Sequence, residues 1–72
     1  MYPNLINNLI ECFKKMPGVG EKSAERMALY ALSLDQDIID LFAHSLSHIK
    51  TDIKRCSICN NLTEEEICPI CN

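Results

Sequence analysis

The sequence predicts a mainly α-helical chain in which three helices are followed by a small module built around four cysteines. Three observations support this prediction. Apolar residues recur at spacings of three and four through the first fifty residues, one proline with two glycines interrupts them, and two Cys-x-x-Cys pairs lie near the end. With 72 residues, of which 47% are hydrophobic and 24% charged, the chain is too small to be stabilised by its apolar core alone.

The first predicted helix begins near Asn4, which we expect to act as its cap, and carries one apolar stripe. The stripe consists of Leu5, Ile6, Leu9, Ile10, Cys12, Phe13 and Met16. Within it, Cys12 is expected to be a small buried hydrophobe. The helix must stop at Pro17, because proline cannot continue the helical hydrogen bonding. Gly18 and Gly20 follow and are the only glycines of the chain, which predicts a tight turn.

Two more helices are predicted between this turn and residue 55. The second begins at Glu21 and ends near Ser33. Its inner stripe is expected to be Ala24, Met27, Ala28, Ala31 and Leu32. The third follows Asp35, a good N-cap, and has Asp37 in its first turn, where a carboxylate complements the helix dipole. Its apolar seam is expected to be Ile39, Phe42, Leu46, Ile49 and Ile53.

The last 17 residues have the spacing of a metal-binding module. Each Cys-x-x-Cys turn can bring two sulfurs to one ion, and two such turns supply the four ligands of a tetrahedral structural zinc site. The predicted ligands are Cys56, Cys59, Cys68 and Cys71. Asn60 and Asn72 follow the pairs, where the turn favours a positive φ. Iron in the same cage is the main alternative. No apolar run suggests a membrane span or secretory signal, so reduced thiols in the cytoplasm are expected.

The segment Met16-Pro-Gly-Val-Gly-Glu-Lys-Ser-Ala between two helices has the helix-hairpin-helix pattern. In this pattern Val19 packs between the helices, and backbone N–H groups at the start of the second helix face outward to receive a phosphate. Such contacts hold the DNA backbone and do not read its sequence. The candidate DNA-binding residues are Gly18, Val19, Gly20, Lys22, Ser23 and Arg26. The alternative is an interhelical turn that binds no ligand.

The charge distribution limits where a polyanion could bind. The formal net charge is −3, and residues 1–55 sum to zero, whereas residues 13–30 carry two more basic than acidic groups. Lys22 and Arg26 share a helix face, although Glu21 and Glu25 interleave with them and could make this an ordinary solvated surface. His44 and His48 are expected on a solvated face opposite the apolar seam. No arrangement of residues suggests a catalytic set, so no enzymatic activity is expected.

The order of these parts resembles the RecR family of bacterial recombination mediators. The resemblance rests on the hairpin segment with its following Glu-Arg-Met, a third helix, and the two cysteine pairs separated by Asn-Asn-Leu-Thr-Glu and three further residues. It implies a helix-hairpin-helix region at residues 1–55 and a zinc finger at residues 56–72, followed in the family by a Toprim domain. It also implies a tetrameric, nucleoid-associated repair protein that works with RecO and RecF to load RecA onto gapped DNA.

Two alternatives differ from this interpretation. The chain could be part of a DNA enzyme such as an NAD-dependent ligase, although there the zinc finger precedes the hairpins. It could also be a protein-interaction module in which zinc braces a helical dimer. For the chain itself we expect a symmetric dimer formed through the Leu5–Phe13 stripe, with exchange of the first helix as one route. Any contact with RecO or RecF is expected mainly outside these 72 residues.

Overall fold

A computed structural model describes residues 1–71 and confirms the predicted fold class. Its elements are α1 (Asn4–Lys14), α2 (Glu21–Tyr30), a 3-10 turn (Ala31–Ser33), α3 (Gln36–Asp52), β1 (Lys54–Arg55) and β2 (Leu62–Thr63). The chain folds as two compact units, one formed by Met1–Ile39 and the other beginning at Asp40. Within the described range, no helix is both long and apolar enough to cross a membrane.

The core of the first unit lies between α1 and α2. Ile6 and Ile10, one helical turn apart on α1, meet Ala24 and Ala28 on α2, and both alanines are fully buried. Their small side chains allow the two helices to approach closely. Five partly buried side chains pack around this cluster: Tyr2, Leu9, Phe13, Val19 and Leu29.

The buried strip is narrower than the sequence pattern predicts. Leu29 packs against the core although it was not expected there. The exposed members of the two predicted stripes are Leu5, Cys12, Met16, Met27 and Leu32. Cys12 lies two residues after Ile10, which turns its side chain about 200° away around the helix. A pair of helices covers only one side of each member, so the outer parts of both predicted stripes remain at the surface.

The helix starts agree with the sequence to within one residue. α1 already includes Asn4, so the predicted cap is wrong, and Pro3 occupies the cap position with its carbonyl oxygen accepting a 3.1 Å hydrogen bond from the backbone N–H of Asn7. α3 begins directly after Asp35, as predicted. There, the carbonyl oxygen of Asp35 accepts a 3.2 Å bond from the N–H of Ile39.

The second unit contains most of α3 and the cysteine module. No residue of α3 is buried, and Phe42, Leu46 and Ile49 of the predicted seam are each about half exposed. The seam therefore lies on one face of the helix without forming a core. After α3, β1 pairs with β2 in antiparallel register, with Lys54 opposite Thr63.

Candidate zinc centre and hairpin surface

The four predicted cysteine ligands lie together in the second unit. The Sγ atoms of Cys56, Cys59, Cys68 and Cys71 all lie within 4.8 Å of one another, and those of Cys59 and Cys68 are 3.6 Å apart. A tetrahedral zinc ion with Zn–S bonds of about 2.3 Å separates its sulfurs by about 3.8 Å. The arrangement therefore fits a single zinc ion after only small adjustments of the four cysteine side chains.

The backbone shapes each turn around this cluster. The N–H groups of Ile58 and Cys68 donate to Cys56 Sγ at 3.4 and 3.3 Å. Asn60 adopts a φ of 66°, and its N–H donates to the Cys56 carbonyl oxygen at 2.9 Å. The positive φ predicted after the first cysteine pair is thus confirmed. The same prediction for Asn72 lies outside the described residues.

The thiols of the cluster differ in acidity. Backbone N–H groups of Cys59 and Cys68 lower the pKa of Cys56 to about 6. Hydrogen bonds with the side chains of Cys59 and Cys68 raise the pKa of Cys71 to about 12. Four adjacent thiolates would repel one another, so a bound dication is needed to compensate their charge. Because protein supplies all four ligands, no position stays open for a reacting water, and the site is structural.

The strand pair fixes the first cysteine turn, a support that the sequence pattern does not indicate. The N–H of Cys56 donates to the Asn61 carbonyl oxygen at 2.7 Å, and the side chain of Arg55 donates to the Asn60 carbonyl oxygen at 3.2 Å. Thr63 is buried and accepts a 3.1 Å bond from the N–H of Glu65. The β-branched Thr63 was the only local signal for this strand.

The hairpin turn depends on only one of its two glycines for conformation. Gly18 has a φ of +79°, whereas Gly20 is extended with a φ of −90° and precedes the first residue of α2. The predicted tight turn therefore needs the conformational freedom of glycine at Gly18 and not at Gly20. Val19 packs against the core of the first unit, as predicted.

The charged residues of α2 separate onto different sides of the helix. Glu21 forms a 2.9 Å ion pair with Lys14 of α1, and Glu25 accepts a 2.8 Å hydrogen bond from the Tyr2 hydroxyl. Among residues 1–71, Lys22 and Arg26 form no ion pair and are exposed. Both carboxylates of α2 therefore contact the first unit's own residues, and the two cations face solvent.

Two pKa shifts reflect these contacts. Hydrogen bonds to Glu21 and, as a smaller contribution, to Glu11 raise the pKa of Lys14. Hydrogen bonding to Glu25 raises the pKa of Tyr2. Both contacts favour the protonated form of the donor. At neutral pH they therefore hold Lys14 and Tyr2 to the two carboxylates of α2.

The two histidines of α3 are exposed, as predicted. Their rings stack with centroids 4.1 Å apart, and His48 Nδ1 lies 2.9 Å from the carbonyl oxygen of His44. Across the part of the chain that the structure describes, the four cysteines are the only group of three or more potential metal ligands close enough to share an ion.

Comparison with known proteins matches both parts of the chain. The family model for the RecR helix-hairpin-helix matches residues 6–50, and the model for the RecR four-cysteine zinc finger domain matches residues 53–72. The chain is 49% identical over 70 residues to "Recombination protein RecR" of Limosilactobacillus reuteri (strain DSM 20016), covering 97% of this chain and 35% of the relative. For the proteins of the same name in Lactobacillus acidophilus and Streptococcus suis, the identities over 71 residues are 45% and 42%, covering 99% of this chain and 36% of each relative. The chain thus spans about a third of the length of these relatives.

Proposed function

The chain belongs to the RecR family, and from this we propose that it is the DNA-binding and self-associating part of a non-catalytic recombinational repair mediator. The observation that carries the proposal is the separation of charge on α2. Glu21 and Glu25 contact Lys14 and Tyr2, which leaves a basic surface beside the hairpin turn. A net charge of −3 opposes DNA binding by the chain as a whole, so binding must be local to this surface.

The start of α2 is suited to receive a phosphate. No side chain caps this helix, so the N–H groups of its first turn lack a capping acceptor. A Cβ added at Gly20 would meet nothing within 4 Å, so packing within the chain does not explain the glycine there. We attribute it to close approach of a DNA backbone, with the Gly18–Gly20 turn and the hydroxyl of Ser23 lying beside one phosphate.

Lys22 and Arg26 extend this site along the helix. They are four residues apart and therefore about 6 Å apart along the helix axis. Each can neutralise a phosphate next to the one at the helix start, and neither must first break an ion pair within the described part of the chain. We propose that these contacts are independent of sequence, because they reach phosphates and not base edges.

The structural zinc supports this role without chemistry of its own. It holds the cysteine module, in which residues 56–71 contain no helix and only one short strand. The wider role, in which a mediator with RecO and RecF loads RecA onto gapped DNA in the bacterial cytoplasm, is supported by the family resemblance and by the recombination names of the relatives.

We propose that self-association uses α3 and not the stripe of α1. Ile6 and Ile10 are already buried within the first unit, whereas Phe42, Leu46 and Ile49 are exposed on one face. Two copies paired about a twofold axis would bury both apolar faces.

The test of DNA binding is a matched pair of double substitutions in the zinc-loaded chain. Replacing Lys22 and Arg26 by Ala should weaken binding to a labelled duplex at low salt by about ten-fold or more, since two charge-assisted contacts are lost. Replacing Lys50 and Lys54 by Ala removes the same charge elsewhere and should have a much smaller effect. Fluorescence anisotropy measures both.

Equal losses from the two pairs would indicate diffuse attraction and contradict a hairpin site. If the chain binds no DNA at low salt while it still self-associates, the protein-interaction module becomes the better description, because the exposed face of α3 would then be the only functional surface supported.

A further inference from the structure

A shallow groove on the outer surface of α2 begins at two of the proposed phosphate contacts, Ser23 and Arg26, and continues over Met27 and Tyr30, which have no assigned role. Four side chains line it: Ser23, Arg26, Met27 and Tyr30. Tyr30 is 66% exposed, and Met27 is also exposed. The groove therefore combines an aromatic ring, a thioether, a guanidinium group and a hydroxyl on an open surface.

Packing within the chain does not explain this aromatic ring. The core side of α2 consists of Ala24 and Ala28 with Leu29 beside them. Tyr30 is not among the residues that pack against this core. Its hydroxyl has no hydrogen-bond partner among residues 1–71, in contrast to the hydroxyl of Tyr2, which donates to Glu25. The ring is thus available to a molecule that approaches the outer side of the helix.

We propose that Tyr30 stacks on an unpaired nucleobase, so that the hairpin binds single-stranded DNA in preference to duplex. This inference rests on the proposed function, since the strand must first be held by its phosphates at Lys22 and Arg26. Lys22 and Tyr30 are eight residues apart on one helix, or about 12 Å along its axis. A stacked strand with about 3.4 Å per phosphate covers that distance in three or four nucleotides.

The chemistry of the groove favours a base over other partners. Unpaired bases stack on aromatic rings and on guanidinium planes, and both kinds of group are present in Tyr30 and Arg26. The groove is too open to enclose a small apolar ligand, which binds in pockets that cover most of its surface. In a duplex the bases are stacked on one another, so the ring of Tyr30 would have no free face to contact.

The experiment compares Tyr30→Leu with Tyr30→Phe in the zinc-loaded chain. The Leu variant keeps an apolar side chain without the ring, and the Phe variant keeps the ring without the hydroxyl. Three labelled probes of equal length are used: an oligothymidine strand, a duplex and an abasic sugar-phosphate strand. Leu32→Ala removes another exposed apolar side chain close to the end of α2 and is the control.

Tyr30→Leu should weaken binding to the oligothymidine strand by about five-fold or more, because loss of one base stack costs roughly 1–3 kcal/mol. Tyr30→Phe and Leu32→Ala should bind this strand like the unsubstituted chain. On the duplex and the abasic strand, Tyr30→Leu should change binding by less than about two-fold, a limit of about 0.4 kcal/mol.

Tyrosine fluorescence gives a direct second measurement. The chain has two tyrosines and no tryptophan, so the emission that Tyr30→Phe removes from the unsubstituted chain is that of Tyr30. Its emission should be quenched by the oligothymidine strand and not by the abasic strand.

Several results would overturn the inference. Unchanged binding of Tyr30→Leu to the oligothymidine strand would exclude stacking, and equal loss on all three probes would indicate a structural role. Loss of self-association in Tyr30→Leu without loss of DNA binding would assign the groove to a second copy of the chain. If substitution of Lys22 and Arg26 abolishes binding while Tyr30→Leu does not change it, only this inference fails. If the unsubstituted chain binds none of the probes, both proposals fail.

Discussion

At the scale of single residues, Gly18 and Gly20 show that one residue type serves two different requirements in the same turn. Gly18 has a φ of +79°, a conformation that costs other residues about 1–2 kcal/mol. Gly20 has an ordinary extended backbone, and a Cβ there would meet open space. Backbone geometry therefore requires glycine at position 18, whereas at position 20 the requirement is proposed to come from the bound phosphate.

Alanine substitutions should separate these two requirements. Gly18→Ala should lower the free energy of unfolding by about 1–2 kcal/mol because of the positive φ. Gly20→Ala should change it by less than about 1 kcal/mol, since reduced freedom of the unfolded chain offsets a poorer cap, yet it should weaken DNA binding. Denaturant unfolding of the zinc-loaded chain and anisotropy on duplex DNA measure the two effects. Equal stability of the two variants would contradict the assignment.

The bond from Tyr2 to Glu25 predicts a loss of stability at high pH. Hydrogen bonding raises the pKa of Tyr2 above its ordinary value of 10.0. A group whose pKa is raised on folding contributes stability that is complete below its unfolded pKa and is lost as pH rises through its folded pKa. The first unit should therefore become less stable above pH 10.0, where Tyr2 begins to ionise beside a carboxylate.

The control for this prediction is Tyr2→Phe, which cannot ionise. Its melting temperature should lie below that of the unsubstituted chain at about pH 8 and should approach or exceed it at about pH 11, where the ionised phenol repels Glu25. Thermal unfolding followed by circular dichroism measures both. A constant difference between these pH values would mean that the bond does not contribute to stability. Lys14 remains in both proteins, so its own raised pKa affects both curves similarly.

The residue-scale predictions from sequence succeeded where the cause is local. A Cys-x-x-Cys turn followed by Asn60, or a glycine after Pro17, limits the backbone through neighbouring atoms alone, and the structure shows the positive φ at Asn60 and Gly18. Burial depends on which element covers a side chain. The helical spacing of Cys12 and Met27 could not reveal that only one helix packs against each stripe.

At the scale of elements, the cysteine module illustrates a segment that depends on an ion for its fold. Its one strand, β2, has two residues, and among residues 56–71 the buried ones are Cys56, Thr63 and Cys68. This provides little apolar surface, whereas structural zinc contributes roughly 10–16 kcal/mol of apparent binding energy in small finger peptides.

Zinc removal should therefore unfold the module and leave the first unit folded. Native mass spectrometry should find one zinc ion per chain, and Cys59→Ser should lose it. In the metal-free chain, amide exchange at Ser57 and Cys68 should become fast, while exchange within α2 stays slow. Cys12→Ser, which changes an exposed thiol outside the cluster, should keep its zinc. Iron in place of zinc, or slow exchange in the module without metal, would contradict the prediction.

α3 marks the limit of what an amphipathic pattern predicts at this scale. The spacing of Ile39, Phe42 and Leu46 correctly indicated a helix with one apolar face. The pattern shows which face of a helix is apolar but not which element covers that face. The sequence alone therefore could not show whether the apolar stripe of α1 is free to form a dimer. In the structure, the core of α1 is covered by α2, and the larger exposed apolar face belongs to α3.

At the scale of the whole molecule, the exposed face of α3 should determine the oligomeric state. Phe42→Glu places a charge in the centre of this face and should convert the proposed dimer to a monomer, because an unpaired charge cannot be buried there without a large cost. Leu41→Glu alters an exposed residue about 100° away around the same helix and should leave the dimer intact. Sedimentation velocity of the zinc-loaded chain measures both. Monomeric behaviour of the unsubstituted chain would exclude the interface.

Pairing also sets how strongly salt should affect DNA binding, because two hairpins would then engage one DNA molecule. Each hairpin offers Lys22 and Arg26, and two neutralised phosphates give a log–log slope of about −1.8 on duplex DNA. A dimer that uses both hairpins should show a slope of about −3.6, and the Phe42→Glu monomer should return to about −1.8. The Lys22→Ala and Arg26→Ala double variant should flatten the slope in either state, with zinc content and helicity unchanged. A single slope shared by dimer and monomer would mean that only one hairpin contacts DNA at a time. Pairing would then add no avidity, and a chain with a net charge of −3 would bind DNA through one local site.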